Sequence, residues 1–119
     1  MGDNEWRRLS PLEETILRQL LAPDFPGKEQ LECQTADALV ATIDEDGSLK
    51  FRGGNGPPAS EVKYRVPTEA RFQDSDGVGV HVLLHVVGDY VDELEVFKED
   101  ASRVRDWSGA NAMDVFAPD

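Results

Sequence analysis

Residues 78–97 read VGVHVLLHVVGDYVDELEVF, the longest alternating run in the chain. Val80, Val82, Leu84 and Val86 fall on one side of an alternating run, and Leu94 and Val96 do the same after Gly88-Asp89-Tyr90. Alternation with a period of two, broken by a turn signal, is the pattern of a β-hairpin. Strands over 78–87 and 91–97 around a three-residue loop set Val87 against Val91, Leu84 against Leu94 and Val82 against Val96. That register gives one continuous apolar face, whereas a two-residue loop mixes the faces. It also sets His85 opposite Glu93. The Val-rich first strand is expected at the centre of its sheet.

Working outward, residues 61–72 also alternate. Val62, Tyr64, Val66, Ala70 and Phe72 share one face, and Lys63, Arg65, Glu69 and Arg71 share the other. This predicts a strand with one wet face, with Pro67 making it an edge strand or bulged there. Asp74-Ser75-Asp76-Gly77 turns it into the hairpin. Upstream, Leu39–Ile43 and Ser48–Arg52 flank Asp44-Glu45-Asp46-Gly47, a second hairpin. The Gly53–Pro58 run is a surface loop.

The N-terminal third has helical spacing. Ser10-Pro11-Leu12-Glu13 is a capping box with Pro in the first turn. Leu12, Ile16, Leu17, Leu20 and Leu21 follow on one face, and Ala22-Pro23 ends the helix. A shorter helix is expected over 28–34 with Leu31 inward. The sum is an α+β fold, with two N-terminal helices packed on one face of an antiparallel sheet of about five strands (a hairpin plus a three-stranded meander). Residues 1–119 form a single domain on this reading. Residues 1–9 are a frayed lead-in, and 101–119 are an irregular tail that packs Val104, Trp107, Met113, Val115 and Phe116 on the core.

The chain has 119 residues and 39% apolar content, enough for one core without staples. Its formal charge is −12, from 24 acids against 12 bases. Such a field repels duplex nucleic acid and anionic membranes and attracts a basic protein. Neither a leader-like apolar run nor a stretch of the ~20 apolar residues of a spanning helix is visible. The lone Cys33, flanked by Glu29, Glu32 and Asp37 and expected half-buried in its helix, fits a reducing compartment, so the protein is expected in the cytoplasm.

Several chemistries are set aside. His81 and His85 would lie about 13 Å apart along a strand, too far to share a metal ion. The Asp-x-Asp-Gly turns at Asp44 and Asp74 lack the remaining EF-hand ligands: Thr42 and Gly53, or Phe72 and Leu83, stand where acids are needed. The Gly53–Gly56 loop has no Lys-Ser/Thr after it and opens no helix, so it does not hold phosphate. No catalytic, cofactor-binding or metal-binding residue is assigned.

Asp89, Asp92, Glu93, Glu95, Glu99 and Asp100 crowd a short stretch around Phe97. An apolar anchor with an acidic rim is a docking surface for a basic partner, and Asp92, Glu93, Glu95, Phe97 and His85 are the candidate contacts. The competing reading is a small-molecule or catalytic site on the same polar face, built from His81, His85, Arg71 and Glu93. A third reading takes Leu83, Val87 and Phe97 as a homodimer interface, leaving monomer and homodimer both open.

Four stretches together carry a resemblance: Leu20-Leu21 with Phe25-Pro26-Gly27, Ile43–Leu49, Arg65–Ala70, and the long run from Asp74 through Leu83-Leu84-His85-Val86 to Glu93-Leu94-Glu95-Val96. Over roughly residues 10–100 the chain resembles a family of small acidic bacterial α+β domains of unknown function. In size and charge it is also similar to immunity proteins of bacterial toxin systems. The resemblance implies a protein-binding role, with a basic toxin as the partner, and carries no catalytic residues.

Overall fold

The computed structural model describes residues 5–53 and 55–118. Helix α1 spans Pro11–Leu20. The Ser10 hydroxyl accepts from the Glu13 amide while the Glu13 carboxylate accepts from the Ser10 amide, so the capping box closes. Ile16, Leu17 and Leu20 are buried along one face. Helix α2 spans Lys28–Thr35 and is capped by Gly27 at φ 91°, where a Cβ would strike Val62. Leu31 is buried as expected, but Cys33 is exposed, because the buried face of this helix runs through Leu31, Gln34 and Thr35.

The strands are β1 (Leu39–Thr42), β2 (Leu49–Arg52), β3 (Thr68–Gln73), β4 (Gly79–Val87), β5 (Tyr90–Lys98) and β6 (Asp114–Phe116). They form one antiparallel sheet in the order β1-β2-β5-β4-β3-β6, with β4 and β5 at its centre. The sheet therefore has six strands rather than about five. The sixth comes from the tail, where Val115 pairs with Ala70 and packs on the core. Val80, Val82, Leu84, Leu94 and Val96 are almost wholly buried against the face of the sheet that carries both helices.

Two further expectations concern the strands and are corrected. The strand read over 61–72 begins only at Thr68, because Pro67 has no N–H for the ladder. Residues 61–67 instead run irregularly, although the Arg65 carbonyl still accepts from the Val86 amide. The hairpin loop has two residues, Gly88 and Asp89, both at positive φ (57° and 72°). This is the conformation that matches strand twist. The body of the hairpin nevertheless keeps the expected register, Leu84 with Leu94 and Val82 with Val96, because a bulge restores it. The extra residue, Asp92, sits in β5 rather than in the loop.

The lead-in is tied down from Arg7 onward, and only its residues 1–4 lie outside the described residues. Arg7 exchanges backbone hydrogen bonds with Val40 on the outer edge of β1, and its guanidinium grips both Glu13 oxygens. The tail is held as firmly. Gln19 donates to the Ala110 carbonyl and accepts from the Met113 amide, both at 2.7 Å, and a 3₁₀ turn over Ser108–Asn111 buries Ala110. Trp107 packs against Phe72, ring centres 5.6 Å apart.

Candidate functional site

Side chains alternate across a strand, so the residues between the buried positions of β4 and β5 must point to the opposite face of the sheet. These are His81, Leu83 and His85 on β4 and Glu93, Glu95 and Phe97 on β5. The register adds Glu69 and Arg71 from β3, Asp114 and Phe116 from β6, and Lys50 from β2. The helices and the 3₁₀ turn pack on the other side. Phe97 and Phe116 are 39% and 55% exposed, large values for aromatic side chains.

The five expected contacts all reach this face. Asp92 would have faced the core had the strand been regular. The bulge instead brings its carboxylate to Lys50 Nζ at 2.9 Å, so Asp92 and Glu93 stand together. His85 lies opposite Glu93 in the ladder, as its register requires. The imidazole, however, bonds Glu95, with Nε2 2.8 Å from Oε1, and not Glu93. Diagonal neighbours are within reach of long side chains in an antiparallel pair, and the bulge beside Glu93 turns it away. Arg65 Nε donates to His85 Nδ1 at 3.2 Å. A nitrogen that accepts from a guanidinium carries no proton, so Nε2 holds the hydrogen and donates it to Glu95.

His81 forms a second pair further along the face. Its Nε2 is 2.7 Å from Glu99, which Arg71 also approaches at 3.4 Å. The His81 ring, joined by the Arg71 guanidinium, holds the Glu99 carboxyl below the usual carboxylate range. The same ring stacks on Phe97, centroids 4.9 Å apart and planes 8° from parallel. Lys50, Arg65 and Arg71 are therefore all engaged, while Glu69 and Glu93 have no side-chain partner among the described residues. The face thus carries uncompensated negative charge together with two exposed rings, Phe97 on β5 and Phe116 on β6.

Phe116, expected on the core with the rest of the tail, instead faces outward because Val115 takes the buried side of β6, and Asp114 was not expected on this face at all. Their only signal is the alternation in Asp114-Val115-Phe116, too short to separate from loop. Among the described residues, no group of three or more His, Cys, Asp or Glu gathers closely enough to hold a metal ion. Nor is any helix among them long and apolar enough to cross a membrane.

A six-stranded antiparallel sheet, backed by two helices on one face and polar-aromatic on the other, defines an α+β domain. The chain belongs to the DUF6984 family, a domain of unknown function, and the match spans residues 6–108. It takes in α1 through β5, and β6 lies beyond it. No curated protein and no solved structure matches the chain.

Proposed function

We propose that this domain is a non-enzymatic protein-binding module that docks a basic protein on the helix-free face of its sheet. The observation that carries the proposal is that two exposed rings, Phe97 on β5 and Phe116 on the edge strand β6, share this face with Glu69 and Glu93, whose carboxylates have no side-chain partner among the described residues. Exposed aromatics with a charged rim are the composition of a binding surface. The charge of −12 supports a basic partner and argues against a second copy of the same chain. Both ring nitrogens of His85 are already engaged, which favours binding over proton transfer. In its narrower form the proposal is a bacterial immunity protein that neutralises a basic toxin in the cytoplasm. The exposed, unbridged Cys33 fits that reducing setting.

The test is capture of partners from the source organism by immobilised wild-type protein at low salt, beside Glu69→Lys/Glu93→Lys and Phe97→Ser. A basic protein bound near one-to-one, released by salt and lost from both variants, supports the reading. Equal recovery on all three surfaces removes it.

A further inference from the structure

We propose that the cleft between the lead-in, α1 and the end of α2 is a separate binding site, made for a small peptide-like zwitterion with aliphatic side chains. The cleft has a volume of about 350 Å³, within the range of small-molecule sites. Its floor is apolar, formed by Leu17 of α1, Leu21 at the C-cap of that helix and Ala38.

The charges around the rim set this cleft apart. Nine of the 12 Lys and Arg side chains hold an acid, a carbonyl or a ring. Among the described residues the exceptions are Arg8, Arg18 and Lys63, and the first two line this cleft. In a chain with twice as many acids as bases, two idle guanidiniums at one place are unexpected. Glu14 stands one turn before Arg18, the spacing at which acid and base pair on a helix, yet the two do not bond. The positive charge thus comes from the lead-in and α1. Across the cleft, Glu32 and the last turn of α2, whose carbonyls lack helical donors, make the other wall negative.

A ligand that satisfies both walls carries a carboxylate for the arginines, an ammonium for Glu32 and the helix end, and an apolar middle for the leucines. A free amino acid holds both charges on one carbon, whereas an extended dipeptide separates them by about 7 Å. Walls built from different elements favour the dipeptide.

The experiment is titration of the isotope-labelled full chain with Leu-Leu, followed by NMR, beside leucine, N-acetyl-Leu-Leu and Leu-Leu amide. Saturable shifts at Leu17, Leu21 and Ala38 are expected, with about tenfold weaker binding when either end is blocked and a similar loss in Arg18→Gln. Circular dichroism of Arg18→Gln should match wild type. Tighter binding of leucine than of Leu-Leu would identify the free amino acid as the source of the same chemistry. Absence of saturable shifts with both, or affinity unchanged in Arg8→Gln/Arg18→Gln, overturns the proposal.

Discussion

Lys98 and Asp74 form an ion pair, Nζ to Oδ2 2.9 Å, in which neither side chain is exposed to solvent. Asp76 closes on the same ammonium at 2.6 Å, and Asp74 also accepts from the amides of Ser75, Arg105 and Asp106. The β3–β4 turn, the end of β5 and the start of the tail are thereby joined at one buried point. Removing one partner leaves the other charge buried and unpaired, a larger penalty than losing the pair. Lys98→Met should therefore lower the urea midpoint more than Arg103→Met, which breaks the exposed bridge to Glu45. Equal effects would mean that the cluster is solvated.

The same cluster sets a pH dependence. Burial alone would raise the Asp74 carboxyl, but the Arg105 amide, the Lys98 ammonium and the Ser75 and Asp106 amides outweigh it and hold the group well below the carboxylate range. A depressed acid contributes stability that is complete above its unfolded value of about 3.9 and is lost as pH falls through the lower folded value. Burial would lower Lys98, but Asp76 and Asp74 raise it. Its contribution is complete below the unfolded value of about 10.4 and is lost as pH rises through the folded one. Stability should hold a plateau between those limits. In Asp74→Asn the acid-side decline should flatten, as read from urea melts across pH.

Gln19 is the link between α1 and the tail. Gln19→Leu keeps the shape but strands the Ala110 carbonyl and the Met113 amide, at a cost of about 1–3 kcal/mol. Hydrogen exchange should accelerate at Met113 and along β6 while Val82 and Leu84 stay protected. Uniform acceleration would show that the tail is not a separate unit.

Ser10→Ala removes the α1 cap and should cost about 1 kcal/mol, measured by chemical denaturation. No change would mean that the Glu13 carboxylate and Arg7 fasten this helix end unaided.

The bulge makes an unusual deletion tolerable. Without Asp92, Val86 still pairs with Val91 and His85 still pairs with Glu93, so both registers survive. The exposed bond to Lys50 is lost, for which about 1 kcal/mol is the upper range. Deleting Glu95 instead inverts every side chain beyond it and should abolish folding. Thermal melts of the two deletions separate these outcomes.

What the sequence made legible follows from how each signal is written. The capping box and the Leu face of α1 are local, and the alternation of 80–86 against 94–96 fixes register over a long run. The bulge was hidden because a three-residue loop and a two-residue loop with one extra strand residue produce the same register below the turn. Alternation continued through Val62 and Tyr64 without a ladder, since pattern does not report that Pro67 withholds a donor. The open face was legible through Glu93, Glu95, Phe97 and His85, but its rim was not. β6 has three residues, and its place depends on Gln19, which lies far away in the chain. The diagonal choice of Glu95 by His85 rests on side-chain geometry that register alone does not contain.

On the reading proposed above, the helix-free sheet face takes a basic protein. That reading is tested most directly by measuring the captured partner's affinity for wild type and for Glu69→Lys/Glu93→Lys across a salt series. Neither glutamate has a side-chain partner among the described residues, so the substitution alters the surface and spares the core. Expected are at least a tenfold loss at low salt, a shallower salt dependence and an unchanged melting temperature. Unchanged affinity and salt slope in the folded variant would contradict it.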